Sequence, residues 1–268
     1  MIPSILRDGH LVTLNSTVFF IIQFGNLASA LLAGSLLHNY SQALPFIFFA
    51  AFFLASAVST ALLRLSLAAC DARVTTSAGA RPDPLQRSLT VVYSLQYASA
   101  VLVSVMGANF VFQEQRGTAV DFGHLEAAWS VGSLIGAIAL TRIDRTMNGR
   151  ALHVVLLGST ALLLMTLTIL PLPWTGIPFA ALGFLYNLGR VSVEVTLQSR
   201  VALSLLGRAK GLMHSAAVML GLVIFAIAAV LGDRVFPSTI FFSFGVVVFI
   251  GVLGLGANAI KAKTQDEM

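Results

Sequence analysis

Long apolar runs separated by short polar stretches set the pattern of this 268-residue chain. Eight runs approach the roughly 20 residues that a helix needs to cross about 30 Å of hydrocarbon. They cover residues 12 to 35, 43 to 65, 88 to 109, 124 to 141, 151 to 171, 176 to 197, 212 to 231 and 237 to 258. Lipid offers no partner for an open backbone, so each run predicts an α-helix. The expected fold class is all-α integral membrane: a polytopic helical bundle of about eight transmembrane helices.

Details within the runs predict how the helices meet. Ser29, Ala30, Ala33 and Gly34 form a small-residue face in the first run, and Gly132 and Gly136 lie four apart in the fourth. Small side chains at this spacing let a neighbouring backbone approach closely. Pro45 opens the second run, where a missing N–H costs nothing. Phe46, Phe48, Phe49, Phe52 and Phe53 then cover that helix nearly all round, as expected for lipid contact. Residues 66 to 87, rich in Thr, Ser, Gly, Pro and Arg, read as a mobile linker dividing the chain into two unequal blocks.

Composition strengthens the membrane reading. Hydrophobic residues make up 57% and charged ones 10% of the chain, with a mean hydropathy of +0.89, against about 25% charged in a soluble domain. Fourteen of the 16 Lys and Arg residues lie before the first run, after even-numbered runs, or at the inner end of the sixth; only Arg116 and Arg234 fall on the other side. By the positive-inside rule both termini are then cytoplasmic, in a multi-pass protein of the cell membrane. The same distribution excludes nucleic acid as a partner, because no soluble segment is long enough to build a basic face. Cys70 is the only cysteine, and the five histidines are never at i,i+3 or i,i+4. Neither a metal nor another cofactor is expected. The first run is too long for a cleavable signal and reads as a true span.

Polar residues inside the apolar runs are the candidate chemistry. Gln23 and Asn26, at i,i+3 in the first run, fit either interhelical hydrogen bonds or a substrate path. Tyr93, Gln96, Tyr97 and Ser104 put a polar and aromatic stripe on the third, facing either protein or a wet cavity. Glu126, near the outer end of the fourth, reads as a solvated carboxylate. In the sixth run Asn187, Arg190, Glu194 and Gln198 step by three, four and four, so all four share one helix face. Arg190 and Glu194 can pair there, as a functional site or as a structural ion pair reaching the inner surface.

Three stretches carry a family resemblance. Asp144-Arg145-Thr146-Met147-Asn148-Gly149-Arg150 resembles the D-R-x-G-R loop between paired helices of the major facilitator superfamily, with two extra residues before the glycine. Gln198-Ser199-Arg200-Val201, followed by Gly207-Arg208-Ala209-Lys210-Gly211, resembles a second marker, a helix end and a G-R-x-x-G turn that starts the next helix. Residues 6 to 16 look like the equivalent loop of the other half. Pro45 ahead of Phe48-Phe49 parallels Pro237 ahead of Phe241-Phe242, each opening the second helix of a pair. The chain thus looks like a major facilitator transporter, nearest the branch of drug, macrolide and siderophore exporters.

The resemblance implies a major-facilitator-like fold with an incomplete N-terminal half. Residues 1–65 would be a partial N-terminal half of two helices, 66–87 a cytoplasmic linker, 88–258 a six-helix C-terminal half and 259–268 a cytoplasmic tail. Counterparts of the family's first four helices are missing, which leaves three readings: a fragment from a misplaced start, a truncated gene, or a reduced protein whose cavity another chain completes. The implied function is secondary active transport, proton-coupled efflux of a small amphipathic molecule, with substrate held between the two halves at the bilayer midplane. Gln23, Asn26, Tyr93, Gln96, Tyr97 and Asn187 are then substrate-path candidates, and Arg190 and Glu194 candidates for proton coupling or gating. Asp144, Arg145, Gly149, Arg150, Gly207, Arg208 and Gly211 form the cytoplasmic loop motifs. A truncated, non-transporting membrane protein or partner subunit is the alternative. With no nucleotide-binding loop, nucleophile elbow or His-Glu-x-x-His pair, neither ATP-driven work nor enzyme catalysis is expected.

Overall fold

The computed structural model describes residues 11–39, 43–67, 84–143, 149–167, 169–232 and 234–266. These residues are helical nearly throughout. Eight α-helices follow in order: α1 (Leu11–Asn39), α2 (Ala43–Leu67), α3 (Pro84–Asn109), α4 (Ala119–Ile143), α5 (Gly149–Thr166), α6 (Gly176–Arg200), α7 (Leu203–Leu231) and α8 (Pro237–Asp266). A π-helical turn, Phe110–Glu114, extends α3. No strand occurs among the described residues.

Among the described residues, four segments are long and apolar enough to cross a membrane: Thr17–Leu37, Ala43–Leu62, Gln86–Glu114 and Leu205–Leu231. Ala151–Thr166 and Pro237–Leu253 are shorter apolar helices. The outward faces are apolar as well, with Ile21, Phe52, Phe53, Met219, Val230 and Val247 each more than 60% exposed. So many exposed large apolar side chains, on helices of this length, suit a surface that meets lipid.

Local chemistry explains several helix ends. Pro84 and Pro237 occupy the first positions of α3 and α8, where no N–H is needed. Thr118 and Asp121 close a capping box at the start of α4. The Thr118 N–H donates to Asp121 Oδ2 at 2.7 Å, and the Asp121 N–H donates to Thr118 Oγ1 at 3.3 Å. Glu114 Oε2 accepts the Ser238 N–H at 2.9 Å, tying the end of the π-helical turn to the start of α8.

The boundaries depart from expectation in four places. The fifth run leaves the α-helix at Thr166 instead of 171; Pro171 lacks the N–H that would bond back to residue 167 and disfavours helix at residue 170, so the helix cannot continue through the end of the run. The segment 207–211 is helical, four residues into α7, and not a turn that precedes the helix. Of the linker, α2 reaches 67 and α3 begins at 84, while 68–83 lie outside the described residues. The tail expected from 259 is helical through Asp266, as the last part of α8.

The packing centres on α6, which touches α1, α3, α4, α5 and α7. It crosses α4 almost backbone to backbone. A methyl on Gly132 would overlap the Ala180 carbonyl, and one on Gly183 would overlap that of Trp129. Ser133 Oγ donates to the Gly183 carbonyl at 3.0 Å across the same crossing. On its other side α4 meets α1, where a methyl on Gly123 would lie 3.0 Å from the Ala30 carbonyl oxygen. The small-residue faces of the first and fourth runs are thus both spent on close crossings. Helices α3 and α7 form a second pair and α5 and α8 a third.

Three apolar clusters fill the spaces between these pairs. One stacks Phe110 on Phe179 and sets Phe241 edge-on to Phe110. A second runs through Val92, Leu157, Val193, Leu197, Met213 and Val248. The third joins Phe19 of α1 to Leu152, Leu156, Leu188 and Val191. Helix α2 belongs to none of them: it rests lightly on α1, and every described side chain from Phe46 to Leu62 is exposed.

Candidate functional site

Where α1, α3, α4 and α6 converge, a cavity of about 480 Å³ opens beside the packed core. Phe19, Gln23 and Asn26 of α1, Ser104 of α3, Glu126 and Trp129 of α4 and Tyr186 and Arg190 of α6 face it. Helix α2 adds only Phe49. Phe19, Gln23 and Asn26 reach the wall together because residues 19, 23 and 26 are four and three apart and so share one face, which Ile22, Ser29, Ala30 and Ala33 extend. Glu126, Trp129 and Ser130 do the same on α4, and Tyr186 and Arg190 on α6.

Arg190 is the most heavily engaged of these groups. Its guanidinium carbon lies 4.7 Å from the centre of the Phe19 ring and Nη1 donates to Tyr186 Oη at 3.1 Å. Stacking on an aromatic face suits a planar, weakly hydrated cation. Nε lies 3.8 Å from Glu194 Oε1, too far for a hydrogen bond, and is buried without a hydrogen-bond partner. Glu194 turns its other oxygen to Lys210 Nζ on α7 at 3.1 Å. Two cations therefore share one carboxylate, and the Arg190 end of the cavity retains net positive charge.

At the other end, Glu126 takes part in no ion pair found among the described residues. Between the two charges, the Asn26 amide donates to Gln23 Oε1 at 2.9 Å. Trp129 and Tyr186 bring their rings within 5.6 Å of each other. The arrangement is an apolar and aromatic chamber with a few converging polar groups, the usual make-up of a small-molecule site.

The structure divides the sequence candidates between two settings. Gln23, Asn26 and Arg190 are on the cavity wall, and Glu194 stands one helical turn beyond Arg190. Tyr93, Gln96, Tyr97 and Asn187 do not line this cavity. Asn187 is fully buried and donates from Nδ2 to the Ser133 carbonyl at 2.6 Å, a strut between α6 and α4. Gln96 lies in the core, with Nε2 3.5 Å from Thr160 Oγ1, in space left by the absent side chain of Gly189. Tyr93 and Tyr97 turn to α7: Tyr93 Oη is 3.5 Å from His214 Nδ1, and the Tyr97 ring meets the same imidazole edge-on. The tyrosines pair two helices because α3 and α7 cross at their level, a partnership invisible in the spacing of α3 alone.

Glu126, read as a solvated carboxylate, faces the cavity instead. Its spacing from Trp129 and Ser130 was the available signal, as was that of Tyr186 from Arg190. Of the loop motifs, Asp144 and Arg145 lie outside the described residues. Gly149 and Arg150 begin α5, and Gly207, Arg208 and Gly211 belong to the exposed side of α7. No group of three or more potential metal ligands occurs among the described residues. No family model matches the chain, and no curated protein matches it.

Proposed function

We propose that this chain is a multi-pass membrane protein of major-facilitator-like plan that carries out secondary active transport, exporting a small amphipathic molecule in exchange for protons. The observation that carries this reading is the cavity among α1, α3, α4 and α6, with Gln23, Asn26, Glu126 and Arg190 on its wall inside otherwise apolar helices. Ionisable groups at such positions are costly unless they serve a ligand, an ion path or each other. The loop resemblances at 144–150 and 198–211 support the family, and the 14-to-2 distribution of basic residues supports cytoplasmic termini in the cell membrane. In this reading all eight helices cross the bilayer, the shorter ones by thinning it locally or by tilting less. Arg190 and Glu194 link the cavity to the inner surface, where Lys210 competes for the carboxylate and proton arrival on Glu194 would release both cations.

Transport into inverted vesicles tests the proposal. Uptake of an amphipathic dye should follow an imposed pH gradient and stop when the gradient is collapsed; uptake indifferent to that collapse removes the proton coupling. A second reading, a non-transporting partner subunit whose cavity another chain completes, is favoured by the slight contribution of α2 to the wall. Isolation as a monomer that moves nothing would decide for a non-transporting protein, and co-purification with a second membrane chain for a subunit.

A further inference from the structure

The cavity has opposite charges at its two ends, and their spacing defines a ligand. Helices α4 and α6 run in parallel register, with Gly132 level with Ala180 and Gly136 with Phe184, while Ser133 meets Asn187. The level of Arg190 on α4 is therefore ten to sixteen residues past Glu126, about 15–24 Å along the axis at 1.5 Å per residue, less the reach of the Arg190 side chain back toward Tyr186. At the inner end, the Arg190 Nε is buried without a hydrogen-bond partner, and the nearby Glu194 is already held by Lys210. At the outer end, Glu126 has no ion-pair partner among the described residues. A carboxylate with no ion-pair partner, and a guanidinium that shares its one carboxylate with a lysine, each gain when a group of opposite charge arrives. The wall between them offers the Gln23 and Asn26 amides, the Ser104 and Ser130 hydroxyls and the rings of Phe122 and Trp129.

We propose that this cavity binds an elongated amphipathic zwitterion, with its carboxylate on Arg190, its ammonium on Glu126 and an apolar body about a dozen bonds long between them. This rests on the transport reading only for its physiological use; binding itself needs no transport. A compact cation or a simple fatty anion satisfies one end and strands the other charge. The aromatic walls take the apolar body, and Tyr186 holds the guanidinium in place from one side.

The test is equilibrium binding to the full chain in lipid nanodiscs, with empty nanodiscs as the partition control. The probes are 12-aminododecanoate, dodecanoate and dodecylamine. The zwitterion should bind at least tenfold more tightly than either single-charge analogue. Glu126→Gln should weaken the zwitterion at least tenfold while leaving dodecanoate within twofold. Arg190→Lys should weaken the zwitterion and dodecanoate alike, and thermal melting of each variant checks that it is folded. Absence of zwitterion binding to the wild type, equal binding of all three probes, or an unchanged affinity in Glu126→Gln overturns the proposal. Binding that behaves as described in a protein that moves nothing across vesicles refutes the transport reading and leaves this one standing. Vesicle transport of a dye without zwitterion binding does the reverse.

Discussion

Lys210 on α7 reaches across to Glu194 on α6 with a nitrogen-to-oxygen distance of 3.1 Å, joining two helices that otherwise touch sparingly. The lysine side chain is 38% exposed and the glutamate 16% exposed, so water and salt reach one partner more than the other. The pair therefore contributes modestly to stability. A double-mutant cycle with Glu194→Gln and Lys210→Met, read by thermal melting, should give a coupling of about 0.2–1 kcal/mol that shrinks with added salt. A coupling above that range, or one indifferent to salt, would mean that the pair is more deeply embedded than its exposure indicates.

Glycines on this chain divide into those that permit a crossing and those that do not. Gly132→Ala drives a methyl into the Ala180 carbonyl, with no flexible side chain there to yield. The substitution should cost about 1–3 kcal/mol, the range for overpacking a fitted contact. Gly207→Ala and Gly211→Ala meet nothing within 4 Å, so they should be neutral or stabilising by up to about 1 kcal/mol through helix propensity. Chemical unfolding of the three variants in one detergent distinguishes the two classes.

The capping box at the N-terminal end of α4 predicts a pH dependence. Hydrogen bonds from the Thr118 N–H and hydroxyl hold the Asp121 carboxyl below its ordinary value of 3.8. A depressed carboxyl contributes stability above the ordinary value, and that contribution is lost as the pH falls through the lowered one. Asp121→Ala should therefore destabilise the protein by about 1 kcal/mol near neutral pH, as expected for a lost cap. The gap between variant and wild-type melting temperatures should close in strong acid. A gap of constant width from pH 7 to pH 2 would show that the carboxylate charge is irrelevant.

Asn187 serves as a strut in the structure, and its removal should act on stability rather than on ligands. Asn187→Ala loses a fully buried amide bonded to the Ser133 carbonyl and should cost about 1–3 kcal/mol. Binding at the cavity, measured below the melting temperature, should stay within about twofold of wild type. Loss of binding with normal stability would return Asn187 to the substrate path.

The helices were legible in the sequence because hydrocarbon demands one kind of backbone and nearly one length. All eight apolar runs lie largely within helices; only the fifth run overshoots its helix, ending in a proline-containing stretch past Thr166, while α7 and α8 extend well beyond their runs. Close crossings were legible too, since Gly132, Gly136 and Gly34 stand at spacings that lipid contact does not require. Partnerships were not. That Tyr93 would find His214, or that Gln96 would fill the space beside Gly189, depends on which helices adjoin, and no residue in α3 encodes that alone. Glu126 was misread because distance from the surface was judged along its own helix, whereas the cavity reaches it from the side.

The bareness of α2 has a consequence for behaviour in different membranes. In the proposed membrane setting, a helix held on one side by a light contact takes its inclination from bilayer thickness, while α6, packed against five neighbours, is held by them. Phe49 is the point at which α2 touches the cavity. Thicker or thinner lipid should thus slide that ring along the chamber mouth, so the composition of the host membrane becomes a control on how readily the chamber fills.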